Sequence, residues 1–234
     1  MTGPDAPPSF TLGYVPGVSP GKWVRTWEER YPDVPLRLVP VANAEARAKI
    51  HDGEVDAALL RLPVDREGLH AIPLYTELTV VVVPKDHVFA AADEVTPGDL
   101  DGELFLHAHD DPLDWPAPFG TVAEYRPDTT AGAIELVAAG VGLLVTPMSL
   151  ARLHHRRDLT YRPLSGVPES RVALVWPEAE TTDLMEQFIG IVRGRTVNST
   201  RGKPQPKPAG QAKAKQAKQP KAQRRKPPPR RKRR

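Results

Sequence analysis

Phe10-Thr11-Leu12-Gly13-Tyr14-Val15-Pro16-Gly17-Val18-Ser19-Pro20 reads as a strand, a break and a helix start. Serine at the N-cap with proline at the first helical position predicts a helix, and Trp23, Val24, Trp27 and Tyr31 then recur at helical spacing until Pro32 stops them. Leu36-Arg37-Leu38-Val39-Pro40-Val41 alternates as a second strand. Asn43 can cap a short helix running through Ala46 and Ile50 to the stop at Gly53. Val55-Asp56-Ala57-Ala58-Leu59-Leu60 gives a third strand. Strand, helix, strand, helix, strand with short connections implies right-handed crossovers and a parallel sheet, which is half of a doubly wound lobe.

Downstream, Ala71-Ile72-Pro73-Leu74-Tyr75 precedes Leu78-Thr79-Val80-Val81-Val82-Val83, a run expected to be a buried central strand or crossover. A second lobe follows. Its strands are Glu103–Leu106 and Val122–Tyr125, its helix runs from Thr130 through Val137, and Gly140-Val141-Gly142 leads into the strand Leu143–Thr146. Arg171–Trp176 and the amphipathic stretch Leu184, Phe188, Ile191 and Val192 close the body on the first lobe.

The net charge of +3 conceals two opposite halves. From Arg201 to Arg234 there are 15 Lys and Arg and no acidic residue, which leaves 17 basic against 29 acidic side chains, a net of −12, in residues 1–200. Apolar periodicity vanishes after Thr200, so residues 200–234 are expected to be a disordered Lys/Arg/Pro-rich tail. Its cations suit phosphate backbones and, without aromatic residues, not base stacking. The candidate nucleic-acid contacts are Lys203, Lys207, Lys213, Lys215, Lys218, Lys221, Arg224, Arg225, Lys226, Arg230, Arg231, Lys232, Arg233 and Arg234. The plainer alternative is a tail that only solubilises or screens the acidic body.

Cysteine is absent, which removes disulfides, thiolate metal sites and cysteine nucleophiles together. No signal-peptide pattern or membrane span is legible, and the expected location is the cytoplasm. No nucleophile elbow, phosphate-cradling glycine loop or paired carboxylates stand out, so no enzyme activity and no cofactor are expected. His107-Ala108-His109 with Asp110, Asp111 and Asp114 lacks the spacing that would force a metal site and reads as a polar loop. His154-His155 reads as the exposed end of a short helix.

Five patterns in order carry a resemblance: Phe10–Val15; Trp27-Glu28-Glu29-Arg30-Tyr31-Pro32-Asp33-Val34; Asp52-Gly53-Glu54-Val55-Asp56-Ala57-Ala58-Leu59; Val82-Val83-Pro84-Lys85-Asp86-His87; and Leu136–Pro147. Together they resemble the substrate-binding domain of LysR-type regulators over roughly residues 10 to 195. The resemblance implies an α/β fold of two doubly wound lobes with a ligand cleft between them, of the type 2 periplasmic-binding-protein kind. The expected boundaries are a disordered N-terminus at 1–9, a first lobe at about 10–83 and 166–199, and a second at about 84–165. Only nine residues precede Phe10, so the expectation is a chain without the family's helix-turn-helix. The segment 107–121 looks abbreviated where the family places another helix. Enzymes on this two-lobed fold such as porphobilinogen deaminases attach their cofactor through a cysteine, which this chain lacks.

Ligands of open α/β sheets sit beyond the carboxyl ends of the strands. That places Gly17, Ser19, Asn43 and Arg61 at one edge, with Ser19 and Asn43 opening helices able to hold a carboxylate and Arg61 a bidentate partner for it. Each also has a simple structural reading, as a helix cap or a solvated charge. The resemblance adds Thr130 and Thr146 as cleft contacts from the second lobe. The expected function is effector binding in transcription regulation, with the polycationic tail acting non-specifically on nucleic acid, or pairing as a homodimer or with complete LysR-type regulators, as the alternatives.

Overall fold

The computed structural model describes residues 7–113, 120–179 and 181–195. In the first lobe, β1 (Phe10–Tyr14) lies parallel to β2 (Leu36–Pro40) and β3 (Ala57–Leu62). The crossovers are α1 (Gly21–Arg30) and α2 (Ala46–His51). Two strands from later in the chain complete the sheet: β10 (Ser170–Pro177) lies antiparallel to β3, and β4 (Leu69–Glu77) lies antiparallel to β10 at the edge, in the order β2-β1-β3-β10-β4. The closing helix α5 (Asp183–Val192) packs beside α1.

The same residues that set the helical spacing build this core. Phe10, Trp27 and Phe188 form a mutually contacting triangle, with the Phe10 ring stacked on the other two at centroid distances of 5.1 and 5.0 Å, and all three are essentially inaccessible. Trp27 also donates its indole N–H to the Val34 carbonyl at 2.8 Å, so the largest buried ring is polar-satisfied. Deleting any of these rings would cost roughly 3–5 kcal/mol, since a cavity remains where the neighbours cannot close up.

The second lobe is built around β5 (Thr79–Pro84), in the order β7-β6-β8-β5-β9. Its partners are β6 (Leu104–Leu106), β7 (Thr121–Val122), β8 (Leu143–Pro147) and β9 (Leu159–Pro163). Val80 and Val82 face one core, with Ile134 and Val137 of α3 (Thr130–Ala138) and Ala151 of α4 (Met148–Leu153). Val81 and Val83 face another, with Leu100, Phe105 and Leu164. This is why the run is β-branched at every position: both faces of the strand are covered.

That run corrects the expected lobe boundary. Residues 79–83, assigned by the sequence reading to the first lobe, form the middle of the second sheet, and the first-lobe sheet resumes at Ser170. The expected strand Val122–Tyr125 is also shorter: β7 ends at Val122, its last link to β6 is the Ala123 N–H donating to the Phe105 carbonyl at 2.8 Å, and Tyr125 is exposed. The strand β9 had no counterpart among the sequence expectations, whereas α4 is the short helix expected to end at His154-His155. The N-terminal residues 1–6, Asp114 and the whole tail 200–234 with its candidate nucleic-acid contacts lie outside the described residues. No helix among the described residues is long and apolar enough to cross a membrane.

Candidate functional site between the lobes

The chain passes between the sheets at Glu77-Leu78-Thr79 and again between Pro163 and Ser170. Thr79 ties the two passages together: its carbonyl accepts from the Leu164 N–H at 3.0 Å and its buried hydroxyl donates to the Pro168 carbonyl at 2.7 Å. A cavity of about 710 Å³ opens at this junction, with Thr76, Thr79, Glu94, Glu169 and Arg171 in its lining.

Arg61, at the carboxyl end of β3, is the organising side chain on the first-lobe side. It is neither a solvated charge nor open to a ligand from solvent in this arrangement, because its side chain is only 4% exposed. Its Nε pairs with Glu77 Oε2 at 3.2 Å, Nη1 donates to the Pro16 carbonyl at 2.7 Å, and Nη2 donates to Ser149 Oγ at 2.9 Å. Arg61 and Glu77 reach each other across β10, which lies between β3 and β4. Tyr75 stands nearby, and burial first, then the Glu77 charge, push its phenol up to about 12, so it stays neutral.

Gly17 explains how the lobes approach there. Its φ is +82°, and a Cβ at this position would sit 2.8 Å from Ser149 Oγ and 2.9 Å from Arg61 Nη2. Only glycine accepts both the left-handed backbone and the crowding.

Both expected helix caps are corrected. Pro20 is already in the helical region and its carbonyl accepts from Trp23 and Val24, so α1 starts without a side-chain cap and Ser19 is left exposed beside it. Asn43 does not cap α2 either. Its side-chain amide exchanges two hydrogen bonds with the Arg61 backbone, at 3.0 and 3.1 Å, and so stitches the β2–α2 loop to the end of β3. Asn43 also lines a cavity of about 370 Å³ with Arg47, Leu60, Val64 and Asp65.

In the second lobe, Thr130 heads α3, is buried, and gives both its N–H and its hydroxyl to Asp110 Oδ1, at 2.6 and 2.8 Å. The positive end of α3 is therefore already filled by a carboxylate of the chain. The N-terminus of α1 differs: it has no acidic residue in its first turn and no capping side chain. Thr146 is 1% exposed, and its hydroxyl is buried with no hydrogen-bond partner among the described residues. Leaving such a group unsatisfied costs about 1–3 kcal/mol, a penalty that a bound ligand or water would relieve.

Asn43 and Arg61 are thus bonded to each other, Gly17 lies against the Arg61 guanidinium, Ser19 lies on the adjoining loop, and Thr130 and Thr146 belong to the second lobe. The sequence alone did not single out Glu77 or Ser149, and it placed Asp110 in a polar loop without its partner Thr130. A lone arginine ending an otherwise apolar buried strand was the signal available for the first of these, since a buried charge needs a partner. His107 and His109 fall after the end of β6, with His107 Nε2 3.3 Å from Asp111 Oδ2, and no group of three or more metal-ligating side chains occurs among the described residues. His155 is exposed just past α4.

Comparison with known proteins bears on the family and the fold. The LysR substrate binding domain matches residues 6–196. The Hca operon transcriptional activator HcaR of Escherichia coli is 27% identical over 211 residues, which cover 82% of this chain and 69% of the relative. A probable hydrogen peroxide-inducible genes activator of Mycobacterium avium is 32% identical over 182 residues, covering 73% of this chain and 58% of that protein. The chain spans 58% to 69% of the length of these relatives and of AlsR of Bacillus subtilis, which is 24% identical. Among solved structures, the oxidised form of OxyR is similar with a TM-score of 0.67 at 23% identity, covering 80% of this chain and 95% of that one. The BenM effector binding domain with its effector benzoate has a TM-score of 0.63 at 16% identity, covering 80% and 90%. With the match spanning nearly the whole of both lobes, the chain belongs to the LysR substrate-binding domain family.

Proposed function

We propose that this chain binds a small carboxylate effector between its lobes, and that the resulting movement of one lobe against the other is its output in transcription regulation. The observation that carries the reading is the buried, unpartnered hydroxyl of Thr146. The open N-terminus of α1 beside the exposed Ser19 supports an anionic group, since its free N–H groups carry partial positive charge. Arg61 then serves as a support for the site, its charge being already balanced by Glu77. Some relatives are named as peroxide-inducible activators, but this chain has no cysteine, so a thiol-based switch is not available to it. The relatives' names as transcription regulators support a cytoplasmic, non-catalytic role. Calorimetric titration with benzoate and a panel of aromatic and dicarboxylic acids tests the reading: saturable binding of at least one member is expected, and a folded chain that binds none contradicts it.

The separation of charge favours a second role for the tail. Fifteen cations without an acidic residue between Arg201 and Arg234 suit sequence-blind contact with nucleic-acid phosphates. DNA affinity of the full chain should fall with salt by about 0.9 log units per log unit of salt for each phosphate contacted, and disappear on truncation after residue 199. A sequence-specific footprint, or affinity that survives truncation, refutes this role.

A further inference from the structure

We infer that Arg61 and Ser149 form a reversible latch between the lobes, holding α4 against the Pro16-Gly17 loop and so setting how readily the crevice opens. The three acceptors of the guanidinium sit on three separate parts of the molecule: Glu77 on the strand leading to the crossing, Pro16 on the first-lobe loop, and Ser149 on the second-lobe helix α4. Two of these bonds lie within the first lobe and move with Arg61. Among the described residues, only the bond to Ser149 joins the guanidinium to the other lobe.

That partition matters energetically. Opening the lobes breaks one hydrogen bond to a charged donor while the ion pair with Glu77 stays intact, so no buried charge is left uncompensated. A latch made of the ion pair itself would be far costlier to release. Gly17 completes the device, because any side chain there would wedge against both Ser149 Oγ and Arg61 Nη2. The start of α4 is tied to the crossing strand by the Met148 N–H donating to the Leu78 carbonyl at 2.9 Å, which gives the helix a fixed point about which to swing.

The role assigned to this latch in regulating the site rests on the effector reading, whereas the latch itself is tested without ligand. Ser149→Ala removes the acceptor and leaves Arg61 paired. Hydrogen exchange followed by mass spectrometry on the ligand-free full chain should show the amides of Gly17, Val18 and Ser19 and of residues 148–153 exchanging roughly tenfold faster, as loss of one such bond implies, with the β1 and α5 core unchanged. X-ray scattering should show a larger radius of gyration. Exchange in both segments within about twofold of the parent protein, with unchanged scattering, overturns the latch. Faster exchange in a chain that binds none of the carboxylate probes upholds the latch and removes only the effector reading.

Discussion

Replacing Arg61 with methionine strands the Glu77 carboxylate at a position where its side chain is 8% exposed. Removing one member of a buried ion pair costs about 3–5 kcal/mol, because the remaining charge keeps its desolvation penalty without its partner. The bonds to Pro16 and Ser149 disappear in the same step. For a body of this size each kcal/mol lowers Tm by about 2–4 °C, so Arg61→Met should melt roughly 6–20 °C below the parent. The double variant Arg61→Met/Glu77→Leu is the informative control. Apolar residues in place of both charges leave nothing unpaired, and such replacements are often close to neutral. Urea unfolding of the parent, both single variants and the double variant gives the coupling, expected at about 2 kcal/mol or more with the double variant more stable than Arg61→Met. A single variant within about 1 kcal/mol of the parent, or strictly additive losses, refutes the claim that this pair is a buried support of the site.

Thr146→Val removes a buried hydroxyl that has no partner, so stability should hold or rise by up to about 1–3 kcal/mol while affinity for the best carboxylate probe falls; a clear loss of stability in urea contradicts this. Gly142→Ala places a Cβ 2.7 Å from the Leu104 carbonyl, backbone that cannot swing aside, and should cost about 1–3 kcal/mol in the same assay; a neutral result refutes the close approach of these segments. Acid should also destabilise the body. The Thr96 hydroxyl and N–H hold the Asp99 carboxyl below its ordinary range, and Arg156 does the same for Asp158, so their contribution is present above a pH of about 4 and is lost as pH falls below it. Asp56, raised by burial against the opposing Thr11 N–H, works the other way by favouring the folded state when protonated, and offsets part of that loss. Urea midpoints that fall between pH 6 and pH 3, with a smaller fall for Asp99→Asn, are expected; flat midpoints contradict the assignment.

Much of the architecture was legible because the first lobe states its periodicity plainly. Helical spacing of Trp23 and Trp27, stops at Pro32 and Gly53, and apolar strands around them translate directly into β1, α1, β2, α2 and β3. The second lobe was harder. A β-branched run such as Thr79–Val83 shows that a strand is covered on both faces, but not which sheet it joins, since that depends on partners 62 to 83 residues away. Thr130 as the head of α3 followed from local pattern, whereas its engagement with Asp110 depends on a loop 20 residues upstream. Ser19 and Asn43 illustrate the limit of capping signals: a proline able to enter the helix displaced the first, and a competing backbone partner on β3 captured the second. Arg61 was read as a ligand contact because its strand end was placed correctly while its partner, brought in by the chain's return through β4, was not foreseen.

Co-crystallisation with the tightest-binding carboxylate locates the effector directly. The account predicts that the ligand lies between the lobes, accepts from or donates to the Thr146 hydroxyl, and approaches the start of α1 with its carboxylate. Density for the ligand elsewhere, such as the cavity lined by Glu94 and Arg171, with the Thr146 hydroxyl still without a partner, would contradict it.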